Sequence, residues 1–314
     1  MNRNLIRIPT ANMSHEEWLK HRMESIGGSD AAGIIGMNAY SSPYSVWADK
    51  TGRTAPKEDN EAMRIGRDLE DYVAKRFTEA TGKKVRRENF ILRNPDIPFA
   101  HANVDRIVIG EDAGLECKTT SVLNLKKFKN GEFPENYYVQ CVHYLAVTGA
   151  KRWYLAVLVL GVGFYHFTIE RDDAEIKALL GEEEAFWNLV TTDTPPLADG
   201  SKATTEALKE VYALSSDDEI ADLSLFNNDL RLYAQLNEKI KKLENDRDEI
   251  ANRIKLHMRD AGSGRADGFS VSFKTQSRSS FDHKAFSEEH PNMDLSKYYK
   301  HSSCRTFKVT ERKR

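Results

Sequence analysis

Residues 99–118 read Phe-Ala-His-Ala-Asn-Val-Asp-Arg-Ile-Val-Ile-Gly-Glu-Asp-Ala-Gly-Leu-Glu-Cys-Lys, and this stretch decides the fold. Ile107, Val108 and Ile109 form a run of β-formers, Gly110 to Gly114 a turn, and Leu115 to Thr119 a second run. Side chains alternate along a strand, so Glu116 and Lys118 share one face and Cys117 points away. Asp105, at the head of the first strand, arrives opposite them. Two carboxylates and a lysine then share a small volume. Carboxylate oxygens hold hard divalent cations, and a lysine beside them can steady a developing negative charge. An ordinary hairpin with an ion pair on its wet face reads the same way. The rest of the chain has to separate the two.

Upstream, Met63 to Thr81 reads as a helix, with Ile65, Leu69, Val73 and Phe77 at four-residue spacing and Gly82 as its stop. Glu70 lies at the edge of that apolar stripe. It is either a surface residue or a third carboxylate delivered by a helix. Further upstream, Arg22-Met-Glu-Ser-Ile-Gly-Gly-Ser-Asp-Ala-Ala-Gly-Ile-Ile-Gly36 is neither a phosphate loop of the nucleotide-hydrolase type nor a dinucleotide fingerprint. It reads as a glycine turn feeding a helix at Ser29 or Asp30. Free N–H groups at such a start suit an anion, and Arg22 and Ser29 could add donors. A simple helix cap is the plainer reading. Downstream, Tyr137 to Thr148 reads as a helix with Gln140 and Tyr144 four apart on one face.

Taken in order, these pieces resemble the lambda-exonuclease-like, YqaJ-type phage recombination nucleases of the PD-(D/E)XK superfamily. The residues that carry the resemblance are Arg22 with Ile26-Gly-Gly-Ser-Asp30, Gly66-Arg-Asp-Leu-Glu70, Asn103-Val-Asp105, Leu115-Glu-Cys-Lys118, and Gln140 with Tyr144. They cover roughly residues 14–190. Asn103-Val104 stands where the superfamily's name has a small polar residue and proline.

The resemblance implies an α/β restriction-endonuclease-like core, with a mixed, mostly antiparallel sheet flanked by helices. It implies Mg²⁺ (or Mn²⁺), one or two ions per site. Asp105, Glu116 and the backbone carbonyl of Cys117 would bind the first ion, Glu70 would assist a second, and Lys118 would be catalytic. Arg22, Ser29 and Gln140 would form a pocket for a terminal 5′-phosphate. The implied activity is 5′→3′ digestion of one strand of duplex DNA, leaving 3′ single strands for a phage-type single-strand annealing recombinase. A homo-oligomer, as in trimeric family rings, and a bacterial or phage-infected cytoplasm are implied with it. An endonucleolytic mode or another polarity on the same fold is the near alternative. A non-catalytic DNA-end-binding or recombinase-scaffolding subunit is the distant one, and intact Glu70, Asp105, Glu116 and Lys118 speak against it.

With 314 residues, 40% hydrophobic and 30% charged, the chain suits one large domain with a smaller appendage. The N-terminus shows no apolar signal segment. The longest apolar run, Trp153 to Phe167, is too short for a bilayer and is broken by Gly161 and Gly163, so no membrane partner is expected. It reads as two strands, Arg152–Leu160 and Phe164–Glu170. Cys117, Cys141 and Cys304 show no metal or disulfide spacing, which fits a reducing cytoplasm. The net charge of −2 does not exclude a nucleic-acid partner, because the positive charge need only be local. Lys83-Lys-Val-Arg-Arg87 and Lys126-Lys-Phe-Lys129 are the local patches. Lys126, Lys127 and Lys129, just after the Glu-x-Lys strand, are the better grip for a DNA backbone.

The organisation expected is a core over 1–190, a linker over 191–222, a coiled-coil-like helix over 223–260 and a small basic region over 261–314. Pro195-Pro196, Gly200 and the polar run to Glu219 mark the linker around at least one short helix. Tyr233, Leu236, Ile240, Leu243, Ile250 and Ile254 fall at alternating three- and four-residue steps, with Arg247 in the same seam. This helix either packs within its own chain or docks a partner. Residues 271–314 hold ten Lys/Arg against five Asp/Glu. Strands are expected over Phe269–Thr275 and Thr306–Thr310. Phe273, Phe281, Tyr298, Tyr299 and Phe307 are expected as the core of a small cap, with the Arg312-Lys-Arg314 tail as a weak backbone contact.

Overall fold

The structure, a computed structural model, describes residues 4–56, 59–128, 130–214, 219–291, 293–300 and 305–310. It divides into two units, Met1–Ala213 and Leu214–Arg314. Ser215–Asp218, Lys129, Cys304 and the Arg312–Arg314 tail therefore lie outside the described residues.

The first unit runs β1 (Ile6–Pro9), α1 (His15–Met23), α2 (Gly28–Ile34), α3 (Pro43–Lys50), α4 (Glu61–Thr81), β2 (Val85–Arg87), β3 (Phe90–Arg93), β4 (His101–Asn103), β5 (Arg106–Val108) and β6 (Ala113–Thr120). A 3-10 turn (Val122–Phe128) then leads to α5 (Glu135–Thr148), β7 (Arg152–Val159), β8 (Gly163–Glu170), α6 (Asp173–Thr191) and α7 (Lys202–Val211).

The opening stretch folds as a hairpin. β5 pairs antiparallel with β6 through Arg106↔Leu115 and Ile107↔Gly114, and the second strand starts at Ala113, two residues earlier than the glycines suggested. β6 then pairs parallel with β7, in register Glu116↔Leu155 and Lys118↔Val157. Parallel neighbours need a crossover, and the 3-10 turn with α5 supplies it. The resulting sheet has the order β2-β5-β6-β7-β8 and is mixed, with every other pairing antiparallel. A second, antiparallel sheet has the order β1-β3-β4.

The two sheet faces are covered by different helices because β6 and β7 are apolar on both. Val73, Ala74 and Phe77 of α4 pack with Val108, Leu115, Tyr154 and Ala156. On the other face, Val139, Val142 and Leu145 of α5 pack with Trp153, Leu155 and Val157. α4 starts where the Asn60 side chain accepts from the Met63 N–H at 3.0 Å. It stops at Gly82, whose φ of 72° is the left-handed conformation glycine adopts freely.

Residues 191–213 were expected as linker, yet they belong to the first unit. α7 buries Ala203, Thr204 and Ala207, and the Thr204 and Ser42 hydroxyls share a hydrogen bond of 2.7 Å. Ala207 shares a cluster with Tyr44, Trp47 and Phe186. A short helix was expected in this stretch; what the linker-type residues hid is that its Ala203/Thr204/Ala207 face packs on the core.

The second unit contains α8 (Asn227–Met258), an antiparallel hairpin of β9 (Ser263–Ala266) and β10 (Phe269–Ser272), and α9 (His283–Glu289). β10 is the expected strand, shortened. Thr306–Thr310 is irregular rather than a strand. The expected aromatic cap core is also corrected: Phe273, Phe281, Tyr298, Tyr299 and Phe307 are all exposed. Two four-residue strands and one seven-residue helix give too little surface to enclose five rings.

Candidate functional site

β6 delivers the centre. Glu116 is buried, and its Oε1 accepts from Lys118 Nζ at 2.6 Å and from Gln140 Nε2 at 2.8 Å. Asp105, one residue before β5, arrives opposite Glu116. Its Oδ2 accepts from the Cys117 N–H at 2.7 Å, which fixes the carboxylate against the strand edge. A strand residue points its N–H and C=O to the same edge. The Cys117 carbonyl therefore faces Asp105, beyond the last rung to β5. The Cys117 thiol packs on the α4 side, and burial pushes it up.

The charges are unbalanced in a consistent direction. Burial, then Glu116 and Glu70, hold the Asp105 carboxyl well above the usual carboxylate range. Burial alone would depress Lys118, but Glu116 and Asp105 outweigh it and raise the ammonium, so it stays charged. Its Nζ also sits 5.4 Å over the Tyr137 ring. Glu116 Oε2 is buried without a hydrogen-bond partner. An orphaned carboxylate oxygen beside a proton-seeking carboxyl is what a site built for one more positive charge looks like. All the donors here are hard oxygens, which suit Mg²⁺ or Mn²⁺.

Glu70 lines one small cleft of about 210 Å³ with Asp105, Asn103 and Trp18. Its carboxylate, however, is turned to Arg106, which also holds Asp71 at 2.6 Å. Among the described residues, no three His, Cys, Asp or Glu side chains are already disposed around one point as a closed cage. Asp105 and Glu116 are together, and Glu70 is a neighbour held aside by an arginine.

Arg22 and Ser29 are brought together. The Arg22 guanidinium donates to Ser29 Oγ and to Asp30 Oδ1, both at 3.2 Å, and lies 5.0 Å over the Trp18 ring. Asp30 is buried and also takes Lys50 Nζ at 2.6 Å and the Gly27 N–H at 3.0 Å. Burial would raise its carboxyl, but Lys50 and Arg22 override that and hold it far below the usual range. Lys50 itself is buried and donates to the Arg22 and Ser25 carbonyls at 2.6 and 3.0 Å.

Gln140 differs from its expected place. Its amide donates to Glu116 and, at 2.8 Å, to the Tyr144 hydroxyl, so it serves the carboxylate side. Only its stem reaches the other cluster: a Cβ on Gly28 would stand 3.2 Å from Gln140 Cγ. Gln140 thus bridges the two groups. Lys126 and Lys127 are exposed on the 3-10 turn. Lys83, Arg86 and Arg87 of the other basic patch are paired with Glu111, Glu88 and Asp71.

Sequence reasoning missed Trp18, Lys50 and Arg106. Trp18 stands four residues before Arg22 on a helix, a spacing that puts them on one face and could have found it. Arg106 adjoins Asp105 in the chain. Lys50 left no local signal, because it comes from another helix.

Residues 17–151, which hold all of these groups, match the YqaJ-like viral recombinase domain. The uncharacterised protein YqaJ of Bacillus subtilis (strain 168) is 40% identical over 306 residues, spanning 96% of this chain and 96% of that protein. The alkaline exonuclease LHK-Exo of Laribacter hongkongensis, in its dAMP complex, superposes with a TM-score of 0.50 at 24% identity, over 63% of this chain and 98% of that one. That last likeness is one of fold. No helix among the described residues is long and apolar enough to cross a membrane. A domain match over the whole site, and a relative aligned along nearly the whole length, place the chain: it belongs to the YqaJ-like viral recombinase family.

Proposed function

We propose that this protein is a divalent-metal-dependent deoxyribonuclease that digests one strand of duplex DNA 5′→3′ from a phosphorylated end. The observation that carries this reading is the gathering of Asp105, Glu116 and Lys118 at one stretch of β6, with Lys118 Nζ on Glu116 Oε1 and Glu116 Oε2 buried and unpartnered. The fold likeness to an alkaline exonuclease supports it. The family's recombinase description supports a product, 3′ single-stranded DNA, destined for an annealing recombinase. DNA ends and that recombinase are the proposed partners, and a homo-oligomer the proposed assembly.

Mg²⁺, or Mn²⁺, would be held by Asp105, Glu116 and the Cys117 carbonyl, with Glu70 reaching a second ion once it leaves Arg106. Such ions polarise a phosphate and acidify bound water. Lys118, a charged ammonium, acts by hydrogen bonding: it orients the attacking water and steadies charge on the phosphate oxygens. It does not act as the base. Gln140 keeps Glu116 from swinging. Arg22 and Ser29 hold the terminal phosphate, since a guanidinium fork suits a monoester with free oxygens. Lys126 and Lys127, with Lys129, grip the backbone.

The test is a linear duplex with 5′-phosphate or 5′-hydroxyl ends and a label on either terminus, incubated with Mg²⁺ or with EDTA. Metal-dependent release from the 5′ terminus, faster on phosphorylated ends, is expected. Release from the 3′ terminus, or equal rates with EDTA, would overturn the reading.

A further inference from the structure

α8 is one continuous helix of 32 residues, about 48 Å long at 1.5 Å per residue. None of its residues is buried. The seam residues Leu236, Ile240, Leu243, Ile250 and Ile254 are 46, 53, 67, 51 and 43% exposed. Tyr233, at the head of the seam, meets Phe307 edge-on at 5.6 Å. A charged helix with a bare stripe of isoleucine and leucine lacks the packing that makes helices stable in water.

The stripe specifies its own partner. In heptad positions, Tyr233, Ile240, Arg247 and Ile254 fall at a, and Leu236, Leu243 and Ile250 at d. Isoleucine at a with leucine at d favours two strands, and a single polar residue at a fixes register and strand number. Arg247 is that residue: in a parallel pair it meets its own copy, and Asp248 of the same helix, accepting from its guanidinium at 2.9 Å, offsets that like charge on each strand.

The flanking charges choose the direction. In a parallel, in-register pair, Lys239 at g faces Glu244 at e of the other helix, twice by symmetry. In the antiparallel register that uses the whole seam, Lys239 meets Arg253, while Asp246 and Glu244 each meet their own copies. Sliding that register by one heptad relieves those clashes but sets Asp229 against Ile254. We propose that α8 pairs with α8 of a second copy of this chain as a parallel two-stranded coiled coil. This inference stands apart from the catalytic reading.

The test is sedimentation equilibrium of the full chain at micromolar concentrations. The Ile240→Asp/Leu243→Asp variant changes only exposed seam residues, and Leu256→Asp, 78% exposed and off the seam, is the control. The seam variant is expected to halve the mass and the control to leave it unchanged, whatever assembly the nuclease cores form. For direction, Leu243→Cys in a Cys304→Ser background is oxidised, since d residues meet their own copies only in the parallel arrangement. A disulfide-linked dimer is expected. A wild-type monomer, a seam variant of unchanged mass, or a fall to one third would overturn the two-stranded pairing. Failure of Leu243→Cys to cross-link in a chain that does pair would overturn its direction.

Discussion

At His101 and His143 one side-chain type is driven in opposite directions by its surroundings. Burial, reinforced by Lys50, lowers His101 to about 3, so it stays neutral and shares a 2.8 Å hydrogen bond with Ser25. Burial would lower His143 too, but Glu183, 2.7 Å away, overrides it and raises the imidazole. An unfolded histidine titrates near 6.5. His101 therefore adds stability above pH ~6.5 that is lost as pH falls toward its folded value. His143 adds stability below pH ~6.5 that is lost as pH rises through its raised value. Melting temperature should decline on both sides of neutrality, and His101→Gln should flatten only the acid limb. An unchanged acid limb in that variant sinks the assignment.

The proposed metal site yields a second prediction at the same scale. Asp105→Asn keeps an acceptor for the Cys117 N–H while removing an unfavourable charge. It should raise the melting temperature of the metal-free protein and abolish cleavage. The further upward shift that Mg²⁺ gives the wild type should vanish. Lys118→Ala should cost at least ~10²-fold in rate, the scale of losing one preorganised stabilising group. Wild-type turnover by the lysine variant, or a full Mg²⁺ shift in Asp105→Asn, contradicts the roles assigned.

At the scale of elements, legibility followed period and locality. The Glu-x-Lys strand, the α4 stripe and the α5 helix announced themselves because apolar spacing and punctuating glycines act within a few residues. The Asp105–Glu116 meeting was readable because a hairpin fixes its own register. What the sequence hid are contacts between separate elements, whose meeting no local period announces. Lys50 of α3 fastening Asp30 of α2 is one, and Arg106 holding Glu70 of α4 aside is another.

α2 shows how tight those contacts are. A Cβ at Gly28 would stand 2.6 Å from the Tyr144 ring, so Gly28→Ala must shift α2 or α5, costing roughly 1–3 kcal/mol by overpacking. Because Gly28 adjoins Ser29 and touches the Gln140 stem, the same change should reduce the preference for 5′-phosphorylated ends. Arg22→Ala should reduce that preference more cleanly, by ~10–10²-fold on phosphorylated ends, if a charged hydrogen bond of about 1.5–3 kcal/mol is lost. Initial rates on the two substrates decide this. Equal slowing on both ends by Arg22→Ala would place the arginine outside the phosphate site.

At the scale of the whole molecule, the division after Ala213 makes the sharpest claim, because the sequence alone put the end of the core at 190. Polar residues, two prolines and a glycine between α6 and α7 read as a tether. Yet α7 returns to the core and covers Tyr44 and Trp47 of α3, which are 4 and 3% exposed. Asp199 joins the same corner, accepting from the Thr204 hydroxyl at 2.6 Å. Cutting at 190 strips that cover and leaves two large rings facing water, at about 1.5–3 kcal/mol for each such side chain. Cutting at 213 removes only the other unit. A chain of residues 1–213 should therefore melt cooperatively at a temperature close to that of the full protein and keep metal-dependent cleavage. A chain of residues 1–190 should melt many degrees lower or aggregate. Circular dichroism melts and a nuclease assay on both truncations test this directly. If the shorter chain is as stable as the longer one, α7 is a tether after all, and the boundary belongs where the prolines put it.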